Sequence, residues 1–375
     1  MKSPQFKQKE RAWSKTNRLP EGWSLESFSN VVEINRNILS ANTQGDYSFF
    51  YLSLSDVNSG VINHPAGKIC FKSAPERARR IVKQGDILLS TVRPNLKGFG
   101  YVDFSGDDYV CSTGFAVLSP KTNVVGQYLY QFLYSHQVSQ YFYSCVVGSN
   151  YPAINNIDIE RISLPLPPID EQKKISQILS TWDRAIERVQ RLIEAKQRQK
   201  KGLIQGLLTG RLRFPEFGEP IEETGNIPDG WKSVEFHDFA TLAKKKIDPV
   251  LNDFNFHCVE LEHISQETGK IIGKTESKQQ TSSKNYFQPG NVLFGKLRPY
   301  LHKFAYCDFE GVCSSEIWVL QNKSICTSRY LFYLIQTDTF LSASVQTTGT
   351  KMPRSDWNVV KKTKFKHPFL KSKNE

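Results

Sequence analysis

Basic and amide side chains follow two short apolar runs that share one pattern. Residues 91–98 read TVRPNLKG, and residues 296–303 read KLRPYLHK. The matched side chains, in order, are Arg93 and Arg298, Asn95 and Tyr300, and Lys97 and His302. Arginine binds a phosphate or forks to the edge of guanine, and asparagine pairs with adenine. These side chains predict contacts with DNA, although a turn that occurs twice suits a structural or phosphate-binding role better than base reading.

Base reading is expected instead where the two stretches of chain differ. KSAPERARR at 72–80 stands opposite KTESKQQTSSKNY at 274–286, and GSNYPAIN at 148–155 stands opposite GTKMPRSD at 349–356. The first set of candidate contacts is Arg77, Arg79, Arg80, Asn150 and Tyr151. The second set is Lys278, Lys284, Lys351 and Arg354. Any one of them has the alternative of being an ordinary solvated residue, but because the two sets differ, the two stretches are expected to contact DNA differently.

Signatures of catalysis are incomplete in this sequence. TGKIIGKT at 268–275 lacks the first glycine of a phosphate-binding loop, because Thr268 occupies that position. ESK at 276–278 has no acidic partner in the setting that a nuclease requires, and neither a methyltransferase loop nor a metal-binding pair of histidines occurs. The sequence therefore predicts no reaction and no metal site for this chain alone. An enzyme with unfamiliar motifs is the alternative.

These candidate contacts belong to an internal repeat. LPEGWS at 19–24 returns as IPDGWK at 227–232, and QGDILLSTVRPNLKGFGYVDF at 84–104 returns as PGNVLFGKLRPYLHKFAYCDF at 289–309. The register holds over about 140 residues, which predicts two homologous domains, at 19–168 and 227–368. Each combines strands such as DILLSTV and FAVLSP with a helix over GQYLYQFLYSHQVSQYFYS, so the fold class is α/β (α+β).

A long helix is predicted between the two domains, within residues 169–213. Residues 170–208 contain no proline, Pro167 and Pro168 precede them, and a continuous helix there would be ~58 Å long. Apolar residues recur with a heptad-like spacing, which predicts a coiled-coil stripe that pairs with another helix. The stripe consists of Ile175, Ile178, Leu179, Trp182, Ile186, Val189, Leu192 and Leu203. Packing of this stripe on the chain's own two domains is the alternative.

The totals favour an acidic partner for a chain of 375 residues. There are 49 lysines and arginines against 37 aspartates and glutamates, a net charge of +12, which makes nucleic acid the first candidate. Seven scattered cysteines without a CxxC pair, and no apolar run long enough to span a membrane, predict a cytoplasmic protein. The remaining segments are a basic arm at 1–18, a linker at 214–226 and a tail at 369–375.

A repeated domain followed by a helix that opens LPPIDEQKKISQIL and closes KGLIQGLLTGRLRFP resembles the specificity subunit of type I restriction-modification enzymes. The resemblance covers nearly the whole chain. It implies that each repeat is a target-recognition domain that reads one half of a split DNA sequence. It also implies that modification subunits bind around the central helix and methylate adenine, while restriction subunits translocate and cut DNA. S-adenosylmethionine, ATP and Mg²⁺ would then belong to those partner subunits, and this chain would bind no cofactor.

The sequence departs from the family pattern after His367 and Pro368, where a second long helix is expected and FLKSKNE follows. The expected partner for the apolar stripe is a second copy of this chain or a modification subunit. A truncated assembly subunit that binds modification subunits but reads little DNA is the alternative.

Overall fold

The computed structural model describes residues 19–105, 108–146, 152–220, 226–346 and 352–368. They fall into two units, Met1–Gln190 and Arg191–Glu375. The boundary between the units lies inside the central helix, so each unit includes one end of that helix.

The first unit combines two four-stranded sheets with short helices. Its strands, among the described residues, are β1 (Ser24–Ser27), β2 (Val32–Ile34), β3 (Ser48–Leu52), β4 (Val57–Asn58), β5 (Val61–Ile62), β6 (Ile69–Cys70), β7 (Ala78–Val82), β8 (Ile87–Ser90), β9 (Phe99–Tyr101), β10 (Tyr109–Ser112), β11 (Phe115–Pro120) and β12 (Ser163–Leu166). Its short helices are α1 (Phe28–Val31), α2 (Gly126–Leu133), α3 (His136–Cys145) and α4 (Asn156–Glu160). The four-stranded sheets have the orders β2-β11-β8-β9 and β6-β3-β10-β7, and β1-β12 and β4-β5 form pairs.

Strand β8 explains why the predicted strand DILLSTV is an unbroken apolar run. Ile87 and Leu89 point into a core that includes α2 and α3, while Leu88 points into a second core with Leu52 and Val82 of the other sheet. Successive side chains of a strand point to opposite faces, and both faces of this strand are covered. The strand predictions for DILLSTV and FAVLSP are confirmed.

The single helix predicted for residues 126–144 is wrong. The segment forms two helices, α2 and α3, which are separated at Tyr134 and Ser135. The Ser135 side chain accepts a hydrogen bond from the Val138 N–H at 3.3 Å and so caps α3. Serine hydroxyls satisfy the N–H groups of a first helical turn, which favours a new helix start at this point.

The predicted central helix is confirmed as α5, which covers Ile169–Thr209, 41 residues. Pro167 and Pro168 precede it, and Asp170 and Glu171 lie in its first turn, where carboxylates favour the helix N-terminus. No helix among the described residues is both long enough and apolar enough to cross a membrane.

The second unit repeats the first with small changes. Its described strands are β13 (Trp231–Glu235), β14 (Ala240–Leu242), β15 (Lys246–Ile247), β16 (His257–Val259), β17 (Thr275–Glu276), β18 (Lys284–Phe287), β19 (Val292–Gly295), β20 (Phe304–Tyr306), β21 (Gly311–Cys313), β22 (Ile317–Asn322) and β23 (Lys364–Pro368). Its helices are α6 (Phe236–Phe239), α7 (Ser328–Leu334), α8 (Asp338–Val345) and α9 (Trp357–Val360).

Sheet order confirms the internal repeat. The sheet β14-β22-β19-β20 has the same order as β2-β11-β8-β9, and the pair β13-β23 corresponds to β1-β12. The other sheet described in the second unit has the order β15-β18-β21-β16-β17, and among the described residues each unit contains one parallel pair, β3 with β10 and β16 with β21. The other strand pairs of the described residues are antiparallel, so the predicted mixed class is confirmed in its α+β form.

Candidate nucleic-acid interface

The Arg-Pro turn of the first unit follows β8 and has an unusual backbone. Arg93 (φ 49°, ψ 56°) and Lys97 (φ 53°, ψ 40°) both adopt the left-handed conformation, on either side of one turn of 3₁₀ helix at Pro94–Leu96. The Leu96 N–H donates to the Arg93 carbonyl at 2.9 Å. Residues other than glycine adopt this conformation only at an energetic cost, so the rest of the fold must hold the turn in place.

The second unit repeats this backbone after β19. Arg298 has φ 50° and His302 has φ 45°, on either side of Pro299–Leu301, and the Leu301 N–H donates to the Arg298 carbonyl at 2.9 Å. A strained turn preserved at two places in one chain is part of the fold. Its arginines are nevertheless exposed, so each also presents a positive charge to solvent.

Main-chain hydrogen bonds join the turn of the first unit to the segment that follows GSNY. The Arg93 N–H donates to the Pro152 carbonyl at 2.7 Å, and the Ile154 N–H donates to the Thr91 carbonyl at 2.9 Å. About 60 residues of chain separate these partners. The structure thus brings together two regions that the sequence singles out independently.

The same connection exists in the second unit. The Arg298 N–H donates to the Pro353 carbonyl at 2.8 Å, and the Ser355 N–H donates to the Lys296 carbonyl at 2.8 Å. In each unit, we call the Arg-Pro turn together with the segment hydrogen-bonded to it the stitched turn. The stitched turn comprises residues 91–97 and 152–154 in the first unit, and residues 296–302 and 353–355 in the second.

Arg77, the residue before β7, is joined to the stitched turn of the first unit by one more connection. The Thr113 N–H donates to the Arg77 carbonyl at 2.8 Å, and the neighbouring Gly114 carbonyl accepts from the Thr91 N–H at 2.8 Å. The exposed side chain of Arg77 therefore belongs to the same edge of the unit as the turn.

The two arginines of β7 itself, Arg79 and Arg80, are placed differently. The Arg79 guanidinium lies over the Phe71 ring, 4.8 Å from its centroid. Arg80 is half-buried, its Nη1 has no hydrogen-bond partner among the described residues, and burial lowers the pKa of this arginine. The Arg80 guanidinium can therefore bind an anion only if that anion reaches its half-buried position.

Among the second-unit candidates, Lys284 is a correction. Its side chain is 5% exposed, and its Nζ donates to Glu260 Oε1 at 2.6 Å. A lysine on a buried strand position that is already paired with a carboxylate cannot reach DNA, so Lys284 is removed from the candidate contacts. Lys278 is exposed, whereas Asn150, Tyr151 and Lys351 lie outside the described residues.

The remaining turn residues divide into exposed and partnered ones. Asn95 and Tyr300 are exposed. Lys97 donates to the Tyr134 carbonyl at 3.5 Å, and His302 Nδ1 lies 3.3 Å from Glu267 Oε1.

A cavity of about 320 Å³ lies beside the first turn, and Asn95, Lys97, Tyr134, His136 and Tyr143 are among its lining residues. Among the described residues, no group of three or more histidine, cysteine, aspartate or glutamate side chains could hold a metal ion.

Arg354 is held by a carboxylate that sequence reasoning missed. Its Nε donates to Glu316 Oε2 at 3.0 Å and its Nη2 donates to Glu316 Oε1 at 3.4 Å, and this pairing raises the pKa of Arg354. The Glu316 carbonyl also accepts from the Lys296 N–H at 2.9 Å, so this glutamate is hydrogen-bonded to the stitched turn. The sequence contains a signal for it, because within the repeat VCSTGF at 110–115 aligns with VCSSEI at 312–317, which places Gly114 opposite Glu316.

The apolar stripe on α5 is exposed along most of its length in this chain. Its exposed members, whose exposed fractions lie between 40% and 67%, are Ile178, Leu179, Trp182, Ile186, Val189, Leu192 and Leu203. Ile175 is a correction, because it is half-buried against the core of the first unit. The remaining stripe has the spacing and the apolar surface that a partner helix covers.

Comparison with known proteins gives this geometry a context. Residues 20–197 match the model of a family described as the type I restriction modification DNA specificity domain. This stretch of the chain is thus similar to the type I restriction-modification specificity family. The resemblance predicted from the sequence motifs is therefore confirmed.

Two relatives illustrate the range of similarity. The EcoDI specificity subunit of Escherichia coli is 27% identical over 231 residues, which cover 55% of this chain and 51% of that one. The MjaIX specificity subunit of Methanocaldococcus jannaschii is 28% identical over 364 residues, which cover 90% of this chain and 81% of that one. The chain thus spans about half the length of the Escherichia coli relative and most of the length of the archaeal one.

A solved structure has a similar fold. It is a chain from work on the complex assembly and conformational transition of the type I R-M system, with a TM-score of 0.56 and 19% identity, and the match covers 94% of this chain and 88% of that one. At this identity the similarity concerns the fold alone.

Proposed function

We propose that this chain is the DNA sequence-recognition subunit of a type I restriction-modification complex. In this function it directs adenine methylation and DNA cleavage to a bipartite target, and it catalyses neither reaction itself. The observation that carries the proposal is that both units build the same stitched turn but have different side chains on it and directly beside it. Ala153 and Gly114 occupy the positions that Arg354 and Glu316 occupy in the second unit.

A stitched turn that has the same backbone in both units but different side chains suits a protein that reads two different half-sites. Arg93 and Arg298, the exposed arginines common to both stitched turns, are suited to phosphate contacts, which position a protein on the duplex without reading its sequence. The side chains that differ between the two stitched turns then face different bases. The net charge of +12 supports affinity for the DNA backbone.

Modification and restriction subunits are the partners that this function requires. They would hold S-adenosylmethionine, ATP and Mg²⁺, and this chain would bind no cofactor. The exposed apolar stripe of α5 supports binding to a helix of another chain, either a modification subunit or a second copy. The assembly would act in the cytoplasm, where its DNA target lies.

The same stripe also favours a second candidate function, that of an assembly subunit that binds modification subunits but reads little DNA. The two functions differ in one measurable respect. A recognition subunit binds its target far more tightly than unrelated DNA at the same salt concentration, whereas an assembly subunit does not.

A map of methylated adenines in the host genome tests the proposal. It is recorded with the gene intact, deleted and restored. A split motif that disappears on deletion and returns on restoration supports recognition by both units. A palindromic motif indicates one unit reading twice in a dimer. An unchanged map contradicts the recognition function and leaves the assembly function.

A further inference from the structure

We propose that Glu316 is a specificity-determining positioning residue, which holds Arg354 so that it reads a guanine in the half-site of the second unit. This inference rests on the proposed DNA-recognition function and deepens it. It concerns a carboxylate on the DNA-binding edge of the unit, where an acidic side chain by itself would repel DNA.

Glu316 binds one edge of the Arg354 guanidinium and leaves the other edge accessible. Arg354 contributes Nε and Nη2 to the two carboxylate oxygens of Glu316 at 3.0 and 3.4 Å. A guanidinium has five N–H donors in a fixed plane, so two are engaged and three are not used by this carboxylate. The edge formed by Nη1 and Nη2 keeps a parallel pair of N–H groups, the arrangement that matches O6 and N7 of guanine.

Both members of the pair are fixed by the main chain. Leu297, on the Arg-Pro turn, forms an isolated β-bridge with Arg354, and the Lys296 N–H donates to the Glu316 carbonyl at 2.9 Å. The Arg354 side chain is 48% exposed and the Glu316 side chain is 27% exposed. Arg354 is therefore accessible to a ligand, and its guanidinium is already oriented by Glu316. Less side-chain entropy is lost on binding when the orientation exists beforehand.

The carboxylate also changes what the arginine selects. A phosphate attracts an arginine mainly through charge, and Glu316 offsets that charge locally. A guanine edge has two acceptor atoms at fixed positions, so its binding to arginine depends mainly on the orientation of the N–H donors. The pair therefore favours base reading over backbone contact.

The first unit provides an internal comparison. Val92 forms the equivalent β-bridge with Ala153, and the carbonyl that accepts from Thr91 belongs to Gly114. Neither alanine nor glycine has a charged side chain that could form such a pair. The inferred guanine reading is thus confined to one half-site, as expected if the two units read different sequences.

The test uses the complete chain and a library of DNA duplexes in which both half-sites are randomised. Glu316→Gln and Arg354→Ala are compared with the unaltered chain at one fixed salt concentration. Glu262→Gln is the matched control, since Glu262 is an exposed glutamate of the same unit that lies outside the stitched turn. The thermal unfolding midpoint of every variant is measured in parallel.

We expect both variants to lose roughly tenfold or more of the preference for guanine at one and the same position of one half-site. Binding to unrelated DNA should separate them, because Glu316→Gln removes a negative charge and strengthens it, whereas Arg354→Ala removes a positive charge and weakens it. Preferences in the other half-site should not change. The control should leave every base preference as it is.

Two outcomes overturn the inference. If Glu316→Gln keeps the full guanine preference, the carboxylate does not position the arginine. If both variants lower the unfolding midpoint and leave all base preferences intact, the pair is structural only. A complete chain that selects no sequence at all from the library would instead contradict the proposed recognition function, so the two failures are distinguishable.

Discussion

Replacement of Gln172 by alanine should loosen the attachment of α5 to the first unit. Gln172 is 1% exposed and lies in the first turns of the helix. Its Oε1 accepts from the Val125 N–H at 2.8 Å, and its Nε2 donates to the Pro167 carbonyl at 2.8 Å. Val125 is the N-cap residue of α2, so this one side chain connects the start of α5 to the start of α2.

The size of the effect follows from the two main-chain groups that lose their partner. A buried polar group without a hydrogen bond costs about 1–3 kcal/mol, so the Val125 N–H and the Pro167 carbonyl together give about 2–6 kcal/mol. Hydrogen exchange at the Val125 amide reports this loss locally, which avoids the assumption that a two-unit chain unfolds in one step. We expect the amide to exchange at least tenfold faster, the equivalent of about 1.4 kcal/mol.

Gln177→Ala is the matched control, because Gln177 is exposed on the same helix. It should leave exchange at Val125 unchanged. If Gln172→Ala also leaves that exchange unchanged, water has replaced both hydrogen bonds, and the reasoning that the buried glutamine holds the helix to the unit is refuted.

Three further predictions concern other parts of the chain. Lys284→Met should lower the free energy of unfolding by about 2–3 kcal/mol, because it leaves Glu260 charged and without its partner; an unchanged urea midpoint would contradict this. Trp182→Glu should preserve the helical circular dichroism of the chain and abolish co-purification with modification subunits, since Trp182 is 67% exposed on the stripe; retained co-purification would exclude the stripe as the contact. Arg93→Gly should reduce the salt dependence of DNA binding by about one phosphate contact while the turn keeps its left-handed backbone, since glycine adopts φ 49° readily; an unaltered slope would assign Arg93 to the fold alone.

The features that depend on local pattern could be predicted from the order of residues alone. The repeat, the buried strands at Ile87–Ser90 and Phe115–Pro120 and the helix Ile169–Thr209 follow from similarity and hydrophobic periodicity, and the structure has each of them. The break before α3 was also local, because Ser135 is a helix-capping residue, and the prediction missed it by weighting apolar spacing alone.

Which charged side chains are available for binding depends instead on how distant segments of the chain pack together. Lys284 and Lys278 look alike in a basic, polar stretch, yet Lys284 lies on β18 beside Glu260 and is buried, while Lys278 is exposed. A strand's pairing register and its neighbours set this difference, and neither is written in the residues next to it.

The same reason applies to the proposed reading site. The Arg-Pro turn meets the Pro353 segment through hydrogen bonds between residues about 55 positions apart, and Glu316 reaches Arg354 across 38 positions. Sequence comparison within the repeat marks such positions as different from their counterparts. It cannot pair them, because contacts between distant segments arise from the packing of the whole unit.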